Sequence, residues 1–167
     1  TVTDTGMLTA TAAVTITVHP VNHGSNQAPV VNDQAFALSE SSSIGTSVGT
    51  VVSNDPNAGD IRTYAITAGN TGGAFAINSL TGQLTAAAGL DFETIPSYVL
   101  TVAVTDGLLT DTAAITITVN NVNDAPVATA QSVSTAEDTA KAITLAATDA
   151  NGDLLNYAIV TQPAHGA

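Results

Sequence analysis

Tyr98, Leu100, Val102 and Val104 alternate with Val99, Thr101 and Ala103, and Ile115, Ile117 and Val119 alternate with threonines. A period of two sends one set of side chains to each face, so both stretches read as strands buried on one side. No segment keeps a helical period over three turns. Turn-forming clusters at 55–60, 69–73, 81–82 and 106–107 punctuate the pattern, and about seven short strands at this spacing predict a two-sheet sandwich. Phe36, Phe75, Phe92, Tyr64, Tyr98 and Tyr157 are expected to fill its interior, because aromatic rings supply much of the apolar area such cores need.

The pattern also repeats. Residues 6–18 (GMLTATAAVTITV) lie over 107–119 (GLLTDTAAITITV) without a gap and match at 10 of 13 positions. Ala28-Pro29-Val30 returns as Ala125-Pro126-Val127, and the turn Asp55-Pro56-Asn57-Ala58-Gly59-Asp60 returns as Asp149-Ala150-Asn151-Gly152-Asp153, each ahead of Tyr-Ala-Ile. A period of roughly 95 to 100 residues is that of one sandwich. The expected organisation is the last strand of one unit (1–18), a linker (19–27), a complete unit (28–124) and the first half of a third (125–167).

Charge narrows the partners. Arg62 and Lys141 face 14 acids, a net charge of −12, which argues against nucleic acid or an anionic membrane surface and favours metal cations. With no cysteine there is neither a disulfide framework nor a thiolate metal site, and calcium is the natural substitute staple. No apolar run approaches the roughly 18 residues that would suggest a membrane span. The chain has no initiating Met or signal-like stretch, so targeting information is expected elsewhere in a longer, secreted parent.

The acids gather at turns and unit edges. Asp91 and Glu93 stand two apart, which in extended backbone aims both carboxylates to one side; Glu40 lies in the serine-rich run 39–43, and Asp124 closes the complete unit in Asn121-Val122-Asn123-Asp124-Ala125-Pro126. Left alone they would repel one another, whereas one Ca²⁺ accepts six to eight such oxygens.

In this order the motifs resemble a cadherin repeat, in particular the bacterial cadherin-like repeats of long surface adhesins, and the resemblance covers nearly the whole chain. It implies tandem, immunoglobulin-like Greek-key β-sandwiches with Ca²⁺ between successive repeats. By that resemblance Glu40, Asp91, Glu93, Asn123 and Asp124 form the lower half of one site, and Asp149, Asn151 and Asp153 the upper half. Asn121 stands where the family usually has Asp, and the Asn that normally precedes Ala-Pro is missing after Asp124, so fewer or weaker ions are expected than in vertebrate cadherins. The third unit, with Glu137-Asp138 and the 149–153 turn, looks more like a bacterial Ig-like repeat.

Asp55, Asn57 and Asp106 would serve the junction preceding the complete repeat. There, however, His19 to His23 replaces the closing motif and Gly24-Ser25-Asn26-Gln27 is inserted, which predicts a hinge at 19–27 that calcium does not stiffen. His19, His23 and His165 are expected to be exposed, as are Asp4, Asp33, Asp60 and Asp111.

The functional expectation is therefore a calcium-rigidified stalk or adhesion module of a secreted or cell-surface protein, whose partners are the neighbouring repeats and an unidentified surface ligand. A carbohydrate-binding or accessory module of an extracellular enzyme is the alternative, but the chain has no Trp to build a stacking platform. Nothing marks a catalytic site: there is no Cys, no phosphate-binding Gly-rich loop and no Ser-centred elbow. Strand exchange that docks a Trp, as in vertebrate cadherins, is not expected either.

Overall fold

The computed structural model describes residues 2–3, 5–7, 9–11, 13 and 25–161; the positions of Asp4, His19, Pro20, His23 and His165, and most of the linker 19–27, lie outside them. In chain order the strands are β1 (Val2–Thr3), β2 (Thr9–Ala10), β3 (Val30–Val31), β4 (Gln34–Ser39), β5 (Ser47–Thr50), β6 (Ser53–Asn54), β7 (Thr63–Ala68), β8 (Phe75–Ile77), β9 (Gln83–Ala86), β10 (Ser97–Thr105), β11 (Thr110–Asn120), β12 (Val127–Ala128) and β13 (Ala147–Thr148).

The complete repeat is a sandwich. One sheet runs β4-β11-β10-β7 and the other β5-β9-β8, with β3 paired to β6 beside it. Its first strand divides into β3 and β4 and its second into β5 and β6, so these segments form the seven strands the turn spacing predicts. The long hairpin β10–β11 buries Tyr98, Leu100, Val102, Val104, Ala113, Ile115, Ile117 and Val119 on one face, as the alternation requires. Opposite them lie Leu84, Ala86, Val51 and Phe75, and the Phe75 ring meets Tyr98 edge-on at 5.1 Å. Phe36 and Phe92 are half-buried at the margin of this core.

Two carboxylates expected on the open surface instead fasten the divided first strand. Asp111 Oδ2 accepts the Val31 N–H at 2.9 Å and Asp33 Oδ1 accepts the Ala114 N–H at 2.8 Å. They satisfy backbone donors at the point where the strand leaves β6 for β11 and the regular ladder lapses. Gly69, at φ +79°, ends β7 where a Cβ would overlap the Val99 carbonyl, next to a bulge at Thr101/Val102 in the β7–β10 ladder.

In the first unit β1 and β2 form an antiparallel pair, and Thr9–Ala10 of β2 align with Thr110–Asp111 at the start of β11. Beyond the complete repeat, β12 and β13 pair antiparallel. Tyr157, expected in a core, is 52% exposed, because no sheet faces β12–β13 among the described residues.

Candidate metal centres

Each end of the complete repeat carries a group of three carboxylates. Asp106 lies in the turn joining β10 to β11, and Asp55 and Asp60 lie in the turn between β6 and β7; oxygens of the three approach within 4.8 Å of one another. At the far end of β11, Glu40 follows β4 and meets Asp91 and Glu93 in the loop before β10, again within 4.8 Å. The nine paired positions of β10–β11 at about 3.3 Å each place the two groups about 30 Å apart.

In the first group Asp55 and Asp106 accept hydrogen bonds from neutral donors. Asp55 Oδ1 accepts the Asn57 N–H at 2.7 Å, and Asp106 Oδ1 accepts the Leu108 and Leu109 N–H groups, each at 2.7 Å. These N–H groups, Leu109 foremost, hold the Asp106 carboxyl below the usual aspartate range, and the Asn26 amide adds to them. Asp55 is 9% exposed, yet its Oδ2 is buried with no hydrogen-bond partner. A buried carboxylate oxygen left unmatched is costly, and a hard cation held by oxygens is the group that fits it.

Asp60, read from sequence as plain surface charge, belongs to this group. Its signal was present in the chain: Asp153 occupies the matching place in the 149–153 turn. The linker end is also engaged here, since Asn26 Nδ2 donates to Asp106 Oδ2 at 2.9 Å and the Gln27 N–H donates to Asn57 Oδ1 at 2.8 Å. These two residues of the expected hinge are therefore tied to the complete repeat, and the histidine-containing part lies outside the described residues.

In the second group Glu40 spans two loops, its Oε2 accepting the Phe92 N–H at 2.6 Å and its Oε1 the Val122 N–H at 2.5 Å. Asp91 caps a turn rather than lying in extended backbone. It accepts the Thr94 hydroxyl at 2.8 Å and the Thr94 N–H at 3.0 Å, while the Ile95 N–H donates to its carbonyl. The Thr94 hydroxyl, then the Thr94 N–H, keep its carboxyl below the usual range. Asp91 and Glu93 thus converge through a turn and not through strand alternation.

The upper-half residues reach this end through one side chain. Asn151 Nδ2 donates to Glu93 Oε1 at 2.5 Å and to Asn121 Oδ1 at 2.9 Å, and its Oδ1 accepts the Asp124 N–H at 2.6 Å. Asp149 Oδ1 accepts the N–H groups of Asn151 and Asp153 at 3.0 and 3.1 Å, closing the turn. The carboxylates of Asp124, Asp149 and Asp153 do not join the Glu40–Asp91–Glu93 triad. Asn123 donates its amide locally, to the Asp124 carbonyl at 3.3 Å. No helix among the described residues is long and apolar enough to cross a membrane.

Comparison with known proteins agrees with this architecture. Residues 34–120 match the family described as Cadherin domain, and residues 123–167 match the Bacterial Ig domain. The human Cadherin EGF LAG seven-pass G-type receptor 2 is 39% identical over 121 residues, 71% of this chain and 4% of the receptor. The Drosophila melanogaster Protocadherin-like wing polarity protein stan is 38% identical over 120 residues, 69% of this chain and 3% of that protein. The chain therefore spans only a small fraction of these relatives. Among solved structures, the human Desmocollin-1 ectodomain superposes with a TM-score of 0.56 at 30% identity, over 64% of this chain and 22% of that one. Protocadherin Gamma B2 extracellular cadherin domains 3-6 superpose with a TM-score of 0.53 at 30% identity, over 64% of this chain and 26% of that one.

Proposed function

Because the chain belongs to the cadherin domain family, we propose that it is an adhesive spacer of a secreted or cell-surface protein, with calcium bound at both ends of its complete repeat. The observation that carries this reading is the unmatched, buried Oδ2 of Asp55 within the Asp55–Asp60–Asp106 group. The groups that donate to Asp55 and Asp106 are neutral N–H and amide groups, and an all-oxygen donor set of this kind suits Ca²⁺ better than a softer transition metal.

At the first end Asp55, Asp60 and Asp106 would hold the ion, with Asn57 beside them. At the second end Glu40, Asp91 and Glu93 would hold it, with Asn121, Asn123, Asp124, Asp149, Asn151 and Asp153 available from the junction. A bound cation supplies charge neutralisation and cross-linking of loops. The chain's own contribution is to hold the carboxylates together by the turn bonds of Asp106, Asp91 and Glu40, and to pass tension across the parallel β4–β11 ladder between the two ends. Its role is mechanical, with no catalytic step assigned to any residue.

Calorimetric titration with calcium, paired with melting curves in millimolar calcium and in chelator, tests the proposal. Ligands that bind only the folded state raise its melting temperature by mass action. Heat of binding and a calcium-dependent upshift are expected; superimposed melting curves with no binding heat would defeat it.

A further inference from the structure

We propose that the Asn70 side chain is an edge guard, which ends the β5-β9-β8 sheet at β8 and keeps that strand from pairing with β8 of a second copy of the chain. β8 is an outer strand of its sheet, and β7 is an outer strand of the other. An outer strand presents unpaired N–H and C=O groups, and proteins commonly blunt it with lysine, other charges or proline. None of these devices is present here. Residues 63–90, which hold β7, β8 and β9, contain no charged residue and no proline, in a chain whose net charge is −12. The β8 sequence Phe75-Ala76-Ile77 is apolar throughout. Repeat proteins need protection at such edges, since neighbouring copies are close at hand and mispairing between them is a characteristic failure.

The Asn70 amide takes the place of a pairing strand. Its Oδ1 accepts the Phe75 N–H at 3.0 Å and its Nδ2 donates to the Phe75 carbonyl at 2.8 Å. One carbonyl and one N–H are what the peptide groups of a neighbouring strand would offer, and an amide side chain carries both. Phe75 stands opposite Ala86 of β9, yet both of its polar groups turn to Asn70, in the direction in which the sheet would otherwise grow. The loop is shaped to return the side chain to this point: the Gly73 N–H bonds to the Asn70 carbonyl at 3.1 Å, and Gly72 and Gly73, at φ +66° and +65°, turn the chain back on itself. On β7 the Tyr64 N–H is taken by the Ser79 carbonyl at 2.9 Å, so the loops on either side of β8 each cover a position on an outer strand. Gln34 uses its amide in the same way where the first strand changes sheets, its Oε1 accepting the Val52 N–H and its Nε2 donating to the Val52 carbonyl, each at 3.0 Å.

An unguarded β8 would pair antiparallel with its own copy, setting Ala76 opposite Ala76 in a pair whose Cα atoms stand about 4.5 Å apart, within disulfide reach. The chain has no cysteine and Ala76 is exposed, so Ala76→Cys reports this contact without background. Disulfide formation in mild oxidant is followed on the full chain by non-reducing electrophoresis, with circular dichroism confirming that each variant keeps its strands. The buffer holds about 1 M sodium chloride, where the screening length falls to roughly 3 Å and net charge no longer keeps the copies apart. Losing the two Asn70 bonds should raise the population with an open edge, so Asn70→Ala combined with Ala76→Cys is expected to cross-link roughly tenfold faster than Ala76→Cys alone. Leu84→Ala, which loosens the core at β9 without touching the edge, should leave the Ala76→Cys rate unchanged. Hydrogen exchange on the parent chain should find the Phe75 amide protected. Equal rates with and without Asn70, an equal acceleration by Leu84→Ala, a matching rise when the cysteine is placed at Thr112 on β11, or an unprotected Phe75 amide would overturn the proposal.

Discussion

Replacing Asp55 with Asn separates a cation site from a merely structural carboxylate, because the two predict opposite signs under two conditions. Asp55 Oδ1 accepts the Asn57 N–H, a bond that the amide oxygen of Asn keeps, while Oδ2 is buried without a partner. In chelator the wild-type protein carries that unmatched oxygen, a burden of about 1 to 3 kcal/mol for a buried polar group. In the variant an NH₂ takes its place, among the carboxylates of Asp60 and Asp106. For a domain of this size 1 kcal/mol corresponds to about 4 to 8 °C, so Asp55→Asn should melt several degrees above wild type in chelator. In calcium the order should reverse. Taking a dissociation constant of about 0.3 mM, within the range of extracellular calcium modules, 10 mM calcium stabilises the wild type by roughly 2 kcal/mol. The variant has lost a ligand oxygen and a charge and should forfeit most of that. Differential scanning calorimetry in the two buffers gives all four melting temperatures. A variant that melts below wild type by the same margin in both buffers would make Asp55 an ordinary structural residue. One that melts above wild type in both would mean that no cation is bound there.

Leu100→Ala should cost about 2 to 5 kcal/mol in urea unfolding through cavity formation, equally in calcium and chelator, since Leu100 is fully buried in the sheet. Asp111→Ala should cost about 1 to 3 kcal/mol by orphaning the Val31 N–H, again irrespective of calcium; a neutral result would mean that the first strand does not need this clasp. The carboxyls of Asp91 and Asp106 are lower in the fold than in the open chain, so the stability they contribute is present above the ordinary aspartate value, near pH 4, and is lost as pH falls through their depressed folded values. Carbon-13 titration of the side-chain carboxyls should therefore show both midpoints below the usual aspartate one, and melting temperature in chelator should decline as pH falls below about 4.

Much of the fold was legible because its signal is local. Period-two alternation specified which face of β10 and β11 is buried, and glycine and aspartate clusters marked the turns. The divided first strand was not legible, because its switch between sheets is held by Asp33 and Asp111, whose partners lie 81 and 80 residues away in sequence. At the candidate site the residue types were readable and their geometry was not. Nothing in Leu90-Asp91-Phe92-Glu93 says that this stretch turns, because a turn closed by Thr94 and an extended strand both bring the two carboxylates to one side. Asp60 was missed for a different reason: with Gly59 before it, the residue reads as turn punctuation, and only the match to Asp153 raises its standing. Asn151 was read as a ligand in the upper half of the site. Its amide hydrogens, the feature that distinguishes it from an acid, acquire meaning only when Glu93 and Asn121 are beside it.

The topology also bears on how a spacer resists tension. The chain enters the complete repeat beside Asp106 and leaves it beside Glu40, so a pull on its two ends draws β4 and β11 in opposite directions. These strands are paired in parallel, from Gln34 opposite Ile115 to Ser39 opposite Asn120. Force then runs along the strands and across their hydrogen bonds, loading the whole ladder together instead of opening it one rung at a time. The two carboxylate groups sit where the load enters and leaves this ladder. Glu40, immediately after β4, is bonded through its side chain to the Phe92 and Val122 N–H groups and through its own N–H to the Asn120 carbonyl at 3.1 Å. The end of β4 is thus fixed to the exit of β11 and to the loop carrying Asp91 and Glu93. A cation bound there, as proposed, would add to the resistance of the ladder where slippage of β4 past β11 would have to begin.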